Sequence, residues 1–276
     1  MKHGEFHDYV LNNPVNFVLV MVFYALASVF FPYGNVAEIF DSTRGTADIF
    51  FIIFKIIFCV FPLIVYIFVT SKICVKHNYK RTLLILFAFL LVCLCNFPFL
   101  TLAENDGSTW LSNESKLWVL HTIKCFSVSL FEELVFRGVI LALLFYIFRK
   151  HRYKVVLPVV ISSVIFGVIH FANMFNGTDF LTALMQVGYS FLTGGMFAIS
   201  YTLTRKIAVP VFLHFVFDFG GLLVDDLCLR GELWSVSQIV LLTVLTVAVG
   251  FAALYVLLKT NFLTTEIADE GSSTEG

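Results

Sequence analysis

The sequence predicts an all-α fold, a polytopic bundle of about eight membrane-spanning helices. Of its 276 residues 59% are hydrophobic and 13% are charged, whereas about a quarter of a soluble globular chain is charged. The mean hydropathy is +0.91, and apolar runs of about 20 residues, long enough to cross the hydrocarbon core, recur along the chain. A net charge of −1 provides no basic field, so nucleic acid is excluded as a partner.

Eight apolar runs meet this length requirement. We expect helices at residues 16–32, 49–70, 82–102, 128–148, 155–173, 180–203, 208–224 and 235–258. Residues 118–128 are also apolar. Together with the fourth helix they would form a segment too long for one span, so we expect these residues to form an interfacial or bent entry to that helix. We therefore expect a transmembrane bundle over 1–260, with its motif-bearing core at about 118–224, and a disordered acidic tail over 261–276.

Lysine and arginine are concentrated in alternate loops of this bundle. Two of these loops read "SKICVKHNYKR" and "RKHRYK", and a third contains Arg205 and Lys206. The loops between them are acidic or neutral. Because cytoplasmic loops carry the excess of Lys and Arg, this pattern predicts that both termini are cytoplasmic. We expect a multi-pass protein of a bacterial cell membrane.

The stretch "SLFEELVFRGVI" places charged residues inside the fourth apolar run. Glu133 and Arg137 are four residues apart, so on a helix they share a face and can pair, whereas Glu132 is rotated by about 100°. A charge near the bilayer centre costs about 2.5–3.5 kcal/mol, so such residues usually face the bundle interior or a wet cavity. Glu132 is therefore the candidate reactive group, with Glu133 and Arg137 as its support. The alternative is a buried ion network with a structural role.

Later runs carry two histidines, in "SSVIFGVIH" and "VFLHFVFD". His214 has Asp218 one helical turn away, where a carboxylate can fix the tautomer of the ring and raise its basicity. At 1.5 Å per residue, Glu132 and His170 both lie about 25 Å from the cytoplasmic side, and His214 lies nearer the middle. We therefore expect the three clusters to converge. Lys55, in the second run, has no obvious partner.

These motifs in this order resemble the CPBP intramembrane protease family, which includes CAAX prenyl-protein endopeptidases and bacteriocin-processing or self-immunity proteins. The resemblance extends from about residue 125 to 222, and its motifs are Glu132-Glu133-x-x-x-Arg137, Phe166-x-x-x-His170 and His214-x-x-x-Asp218.

This resemblance implies an intramembrane endopeptidase that acts on a membrane-associated, prenylated or secreted peptide among membrane lipids. It implies that Glu132 and His170 activate the attacking water and that His214 and Asp218 lie near the scissile carbonyl. Many members have asparagine at the position of Asp218. An aspartate can donate a hydrogen bond to an oxyanion when it is protonated.

Both the cofactor and the function have alternatives. Glu132, His170 and His214 would suffice as ligands of a catalytic zinc ion, but their spacing is not that of HExxH, and a metal-free glutamate mechanism is equally compatible. A non-catalytic bacteriocin self-immunity or regulatory protein could have the same fold. A proton-coupled transporter is disfavoured because the sequence has no evident inverted repeat.

Overall fold

The computed structural model describes residues 3–40, 44–69, 73–75, 79–104, 111–227, 235–261 and 265–267. The predicted all-α class is confirmed. The α-helices are α1 His3–Asn12, α2 Pro14–Phe30, α3 Tyr33–Glu38, α4 Arg44–Val69, α5 Tyr79–Cys95, α6 Phe99–Glu104, α7 Ser115–Glu133, α8 Ala142–Ile147, α9 Val156–Ile169, α10 Phe180–Thr204, α11 Ala208–Gly221, α12 Leu223–Leu227 and α13 Val236–Asn261. A π-helical segment spans Leu134–Leu141, and a 3-10 segment spans His170–Asn176.

Each of the eight predicted segments is mostly helical where the structure describes it, with a break between α5 and α6 inside 82–102, but the count of eight spans is not confirmed. Among the described residues, four helices are long and apolar enough to cross a membrane, or up to five if α1 and α2, which meet at 91°, form one span. The four are Gly45–Val69, Tyr79–Glu104, Val156–Phe175 and Val236–Lys259. Helix α11 has 14 residues, about 21 Å, which is shorter than the hydrocarbon core of about 30 Å.

Residues 118–128 lie in the first part of α7. This helix continues without a break through the π-helical segment into α8, a helical run of roughly 50 Å. Such a length exceeds the hydrocarbon core, so part of the run must extend beyond it. The π-helical segment begins directly after Glu133 and contains Arg137, and π-helical turns frequently mark functional sites.

The turn between α9 and α10 sets the position of His170. The 3-10 segment that begins at His170 ends at Asn176 and is followed by Gly177, whose φ of 94° favours glycine. Asp179 then caps α10, because its Oδ1 accepts the backbone N–H of Thr182 at 3.1 Å. A hydrogen bond from the Thr182 side chain, together with this one from its backbone, holds the pKa of Asp179 below its ordinary value. The chain thus reverses, and α9 and α10 pack side by side.

Two buried apolar clusters form the core. The first includes Phe89 and Phe197 and is built mainly on α5, α10, α11 and α13. The second includes Phe131 and Phe166 and is built mainly on α2, α4, the π-helical segment and α8. Helix α7 joins them, since it packs against both α4 and α11. The candidate site lies where the two clusters meet.

One short strand pair completes the described structure. Strand β1, Ile73–Val75, pairs antiparallel with β2, Thr265–Ile267, and Cys74 lies opposite Glu266. Part of the predicted C-terminal tail thus meets the loop after α4, and the charge pattern predicts both on the cytoplasmic face. This orientation stays a prediction. Lys72 and Lys76 of that loop, and residues 268–276 of the tail, lie outside the described residues.

Candidate active site

The imidazole of His214, on α11, is the centre of the candidate site. Its Nδ1 lies 2.8 Å from Glu133 Oε1, and because this carboxylate oxygen accepts, Nδ1 carries the proton and donates. Its Nε2 lies 3.3 Å from Asp218 Oδ2 and 3.8 Å from Glu132 Oε2. Carboxylates from α7 and α11 therefore converge on both edges of one ring.

Glu133 and Arg137 form a fully buried ion pair. Arg137 Nη1 donates to Glu133 Oε1 at 2.7 Å, so the pair that the four-residue spacing predicts is present. Arg137 Nη2 donates to the backbone carbonyl of Gly194 on α10 at 2.9 Å. Among the described residues, Glu133 Oε2 and Arg137 Nε are buried without a hydrogen-bond partner. Such unpaired atoms are uncommon in folded proteins and call for an explanation such as a catalytic role.

Two aromatic rings, one from each apolar cluster, enclose these charges. Phe166 lies under the guanidinium of Arg137, with 4.3 Å from the ring centroid to Cζ. Phe197 stacks on His214 with a centroid separation of 4.9 Å and an interplanar angle of 21°. An apolar enclosure lowers the local dielectric, which strengthens the hydrogen bonds and raises the cost of any unpaired charge.

The close approach of α10 to this site requires a residue without a side chain. A Cβ atom at Gly194 would lie 2.7 Å from Phe166 Cδ1 and 3.2 Å from Arg137 Nη2. The glycine therefore lets its own carbonyl reach the guanidinium. Sequence analysis did not identify Gly194, although it stands in a Gly-Gly pair inside a long apolar helix.

The two adjacent glutamates differ in exposure. The side chain of Glu133 is 0% exposed, whereas those of Glu132 and Asp218 are 21% and 18% exposed. Glu132 Oε2 is 3.8 Å from His214 Nε2, beyond hydrogen-bonding distance. Among the described residues, Glu132 is thus the carboxylate of this site that lies within reach of solvent and is not tied by a hydrogen bond.

His170 lies one aromatic ring away from His214. Its Nδ1 is 2.8 Å from the backbone carbonyl of Phe166, so Nδ1–H donates and Nε2 is left as an acceptor. The Phe166 ring packs edge-on against both histidines, with centroid separations of 5.1 Å to His170 and 5.9 Å to His214. Within the described part of the chain, no hydrogen bond or ion pair joins His170 to the carboxylates. The predicted residues that the structure brings together directly are Glu132, Glu133, Arg137, His214 and Asp218.

A catalytic zinc ion at this site would be held by Glu132, His170 and His214. Among the described residues, no group of three or more His, Cys, Asp or Glu side chains is arranged to hold a metal ion. Both ring nitrogens of His214 face carboxylate oxygens. The three side chains therefore do not form a ready-made catalytic zinc site.

A second histidine cluster, missed by sequence analysis, lies at the start of α7. His121 Nδ1 is 2.9 Å from Asp226 Oδ2, and His121 Nε2 is 2.9 Å from the carbonyl of Phe219. Lys124 Nζ donates to Asp226 Oδ1 at 2.8 Å and lies 3.4 Å from Asp48 Oδ1. The partners are 76 to 105 residues apart in the chain, so spacing along one helix could not reveal them.

This second cluster shifts the pKa values of its charged members. Burial alone would raise the pKa of Asp226, but hydrogen bonds from His121 and Lys124 outweigh burial and lower that pKa. Burial alone would lower the pKa of Lys124, but Asp226 and Asp48 outweigh burial and raise it. Each charged form is stabilised by its partners, as in a structural ion network.

Comparison with curated proteins and with solved structures finds no match to this chain. A family model described as "Type II CAAX prenyl endopeptidase Rce1-like" matches residues 114–220. The match begins at the residue before α7 and ends within α11, so it includes all six predicted site residues. Residues 114–220 therefore match an Rce1-like domain of the CPBP family, as the three motifs predict.

Proposed function

We propose that this domain is an intramembrane endopeptidase that hydrolyses a peptide bond in a membrane-associated or prenylated peptide, with Glu132 as general base and no metal ion. The family match indicates a protease and implies a peptide or prenylated substrate. The observation that carries the mechanism is the convergence of three carboxylates on His214, with Glu132 alone among them both partly exposed and not hydrogen-bonded to Arg137 or His214.

Glu132 and His170 activate the attacking water in this proposal. A carboxylate that is not held by a hydrogen bond keeps its lone pairs available for a proton. His170 contributes Nε2 as an acceptor, because its Nδ1–H is committed to the carbonyl of Phe166. The water is then oriented by two acceptors, and its proton passes to Glu132.

Glu133 and Arg137 hold His214 in place. Glu133 Oε1 accepts from both Arg137 and His214 Nδ1, which fixes the plane of the ring and directs Nε2 toward Glu132 and Asp218. Arg137 supplies the positive charge that a buried carboxylate requires. These two residues act through His214 and do not touch the substrate.

His214 and Asp218 share the proton that stabilises the oxyanion. His214 Nε2 and Asp218 Oδ2 are 3.3 Å apart, so one proton between them can reside on either atom. In both arrangements the pair presents one donor that can turn toward a developing negative charge. The Nδ1–H of His214 already donates to Glu133. An aspartate at position 218 is therefore compatible with oxyanion stabilisation, because it shares the proton at Nε2.

The proposed reaction is balanced without a co-reactant. As the water oxygen forms a bond to the scissile carbonyl carbon, Glu132 takes one water proton and the carbonyl π electrons move onto oxygen. The proton shared by His214 and Asp218 stabilises that oxyanion. When the tetrahedral intermediate collapses, the C–N bond breaks, and the amine leaves with the proton held by Glu132.

The test uses purified protein in liposomes and a fluorogenic peptide in farnesylated and unmodified forms. Glu132→Gln keeps the shape of the side chain and removes its basicity, so we expect cleavage to fall by about 10²–10⁴-fold. Glu114→Gln, at the exposed start of α7, is the matched control and should cleave like wild type. Cleavage retained in Glu132→Gln would overturn the proposal.

The same variants separate catalysis from the self-immunity alternative. If the protein protects cells by binding a bacteriocin without cleaving it, protection should survive in Glu132→Gln. Protection that is lost together with cleavage supports the endopeptidase.

A further inference from the structure

A buried asparagine outside the matched domain reaches the helix that carries His214 and Asp218. Asn96 directly follows the last residue of α5 and is 5% exposed. Its Nδ2 donates to the backbone carbonyl of Phe217 on α11 at 2.7 Å. Because this carbonyl carbon is bonded to the backbone nitrogen of Asp218, the carboxamide of Asn96 fixes the peptide group from which Asp218 projects.

The turn that carries Asn96 is itself held in place. Asn96 lies in the short break between α5 and α6, and Gln238 on α13 joins the two sides of this break. Gln238 Nε2 donates to the carbonyl of Cys95 at 2.7 Å, and Gln238 Oε1 accepts the backbone N–H of Leu100 at 2.9 Å. Asn96 therefore projects from a fixed turn toward α11.

The end of α11 is shaped to receive this turn. A Cβ atom at Gly221 would lie 2.6 Å from Asn96 Nδ2, and one at Gly220 would lie 2.5 Å from Phe97 Cδ2. Glycine permits this close approach, but two glycines also weaken a helix, because glycine loses more backbone entropy on folding than other residues. The last turn of α11, directly after Asp218, therefore depends on support from outside the helix, and Asn96 supplies a hydrogen bond there.

The proposed chemistry requires Asp218 to be placed accurately. Asp218 Oδ2 lies 3.3 Å from His214 Nε2, and the proton between these atoms stabilises the oxyanion only when the donor points at the developing charge. A misplacement of about 1 Å in an active site can cost about 10²-fold in rate. Loosening of the peptide group that leads into Asp218 would therefore affect the reaction.

We propose that Asn96 is a positioning residue for the reaction: by holding the carbonyl of Phe217, it keeps Asp218 aligned with His214. This inference rests on the proposed function, and it adds a residue from the end of α5, outside the residues 114–220 that the family model matches. Asn96 acts through Asp218 and does not touch the substrate. A residue in this role affects the chemical step and leaves binding of the substrate unchanged.

The first experiment measures kcat and KM separately with the fluorogenic peptide. Asn96→Leu removes the donor and keeps the approximate size of the side chain, so we expect kcat to fall about tenfold with KM within about twofold of wild type. Gly221→Ala should give a similar loss, because its methyl group would displace the carboxamide although alanine favours a helix. Gly221→Ala alone carries the test if Asn96→Leu does not fold.

The matched control loosens the same helix end on the far side of Asp218. His121→Gln acts at the carbonyl of Phe219 and should change kcat by less than about threefold. Wild-type kcat in both Asn96→Leu and Gly221→Ala would overturn the inference, and so would a loss confined to KM.

The second experiment tests whether Asn96 acts through Asp218. In an Asp218→Ala background the aspartate is already absent, so Asn96→Leu should cause no further fall in single-turnover cleavage. A further tenfold loss in that background would show that Asn96 supports the fold in general, and it would overturn the inference.

The third experiment does not depend on catalysis. Hydrogen exchange of the amides in the last turn of α11, measured by mass spectrometry, should be faster in Asn96→Leu than in wild type. Unchanged exchange would overturn the inference even where wild type cleaves the peptide. Absence of cleavage in wild type, together with faster exchange in Asn96→Leu, would instead reject the proposed function and keep the support of α11 by Asn96.

Discussion

The described part of the chain contains two buried histidine centres whose surroundings differ. Both ring nitrogens of His121 and of His214 face oxygen acceptors. Around His121 these acceptors are one carboxylate and one backbone carbonyl, and Lys124 shares the carboxylate. Around His214 the neighbouring oxygens come from three carboxylates.

The difference separates a structural network from a reactive one. At His121, Lys124 pairs with both Asp226 and Asp48, and the imidazole hydrogen-bonds to Asp226, so each carboxylate has a partner of opposite sign. At His214 the carboxylates outnumber the cations in direct contact. A satisfied polar network makes a core rigid, whereas an excess of acceptors keeps oxygens available for a proton or a substrate.

The two centres also meet at the end of α11. His121 donates to the carbonyl of Phe219, the residue after Asp218. The His121 centre therefore fixes the last turn of α11, the helix that carries His214. We infer that a change at His121 affects the stability of this end of the bundle more than the reaction.

The largest expected contrast is in cleavage. His214→Gln removes the ring that joins Glu133 to Asp218 and with it the oxyanion donor, so we expect kcat to fall by about 10²–10³-fold. His121→Gln leaves the His214 centre intact and should change kcat by less than about threefold while lowering the melting temperature. The measurement is single-turnover cleavage of the fluorogenic peptide by both variants. Equal losses of kcat would remove the distinction between the two centres.

The next contrast is in stability. Arg137→Met leaves Glu133 as a buried charge without its guanidinium and should destabilise the protein by about 3–5 kcal/mol. Lys124→Met removes a cation whose side chain is 20% exposed, so the expected loss is about 1 kcal/mol or less. Denaturant unfolding of both variants in detergent micelles measures the two losses.

A double variant checks the origin of the larger loss. In Arg137→Met with Glu133→Gln the unpaired charge is gone, so part of the stability should return, because much of the cost lies in the orphaned partner. A double variant less stable than Arg137→Met would contradict this account of the buried pair.

Contacts within one helix were predictable from the sequence, and contacts between helices were not. The spacing of four residues predicted the Glu133–Arg137 pair and placed Asp218 beside His214, and the structure has both contacts. The closest partner of His214, however, is Glu133, which lies 81 residues away. Spacing in a single sequence gives no information on such a pair.

Hydropathy likewise predicted helices but not their relation to the membrane. An apolar run has the same composition whether it faces lipid or the inside of a bundle. The π-helical segment at Leu134–Leu141 could not be predicted from the sequence either, since its residue types are those of an ordinary apolar helix. For Lys55, the sequence indicated a lysine without a partner, whereas in the fold it is 5% exposed and its Nζ lies 2.6 Å from Ser28 Oγ on α2.

The smallest expected effect concerns pH and the His121 centre. Hydrogen bonds from His121 and Lys124 overcome burial and lower the pKa of Asp226, so the folded state binds the proton less readily than the unfolded state. The stability from this carboxylate is fully present above about pH 4 and is lost as the pH falls through the lowered pKa of the folded state. Asp226→Asn should cost about 1 kcal/mol at neutral pH and lose this acid dependence. Melting curves between pH 3 and 7 compare wild type, Asp226→Asn and the exposed control Asp8→Asn, which should follow wild type. A constant difference between wild type and Asp226→Asn across this range would show that the charge of Asp226 does not stabilise the fold.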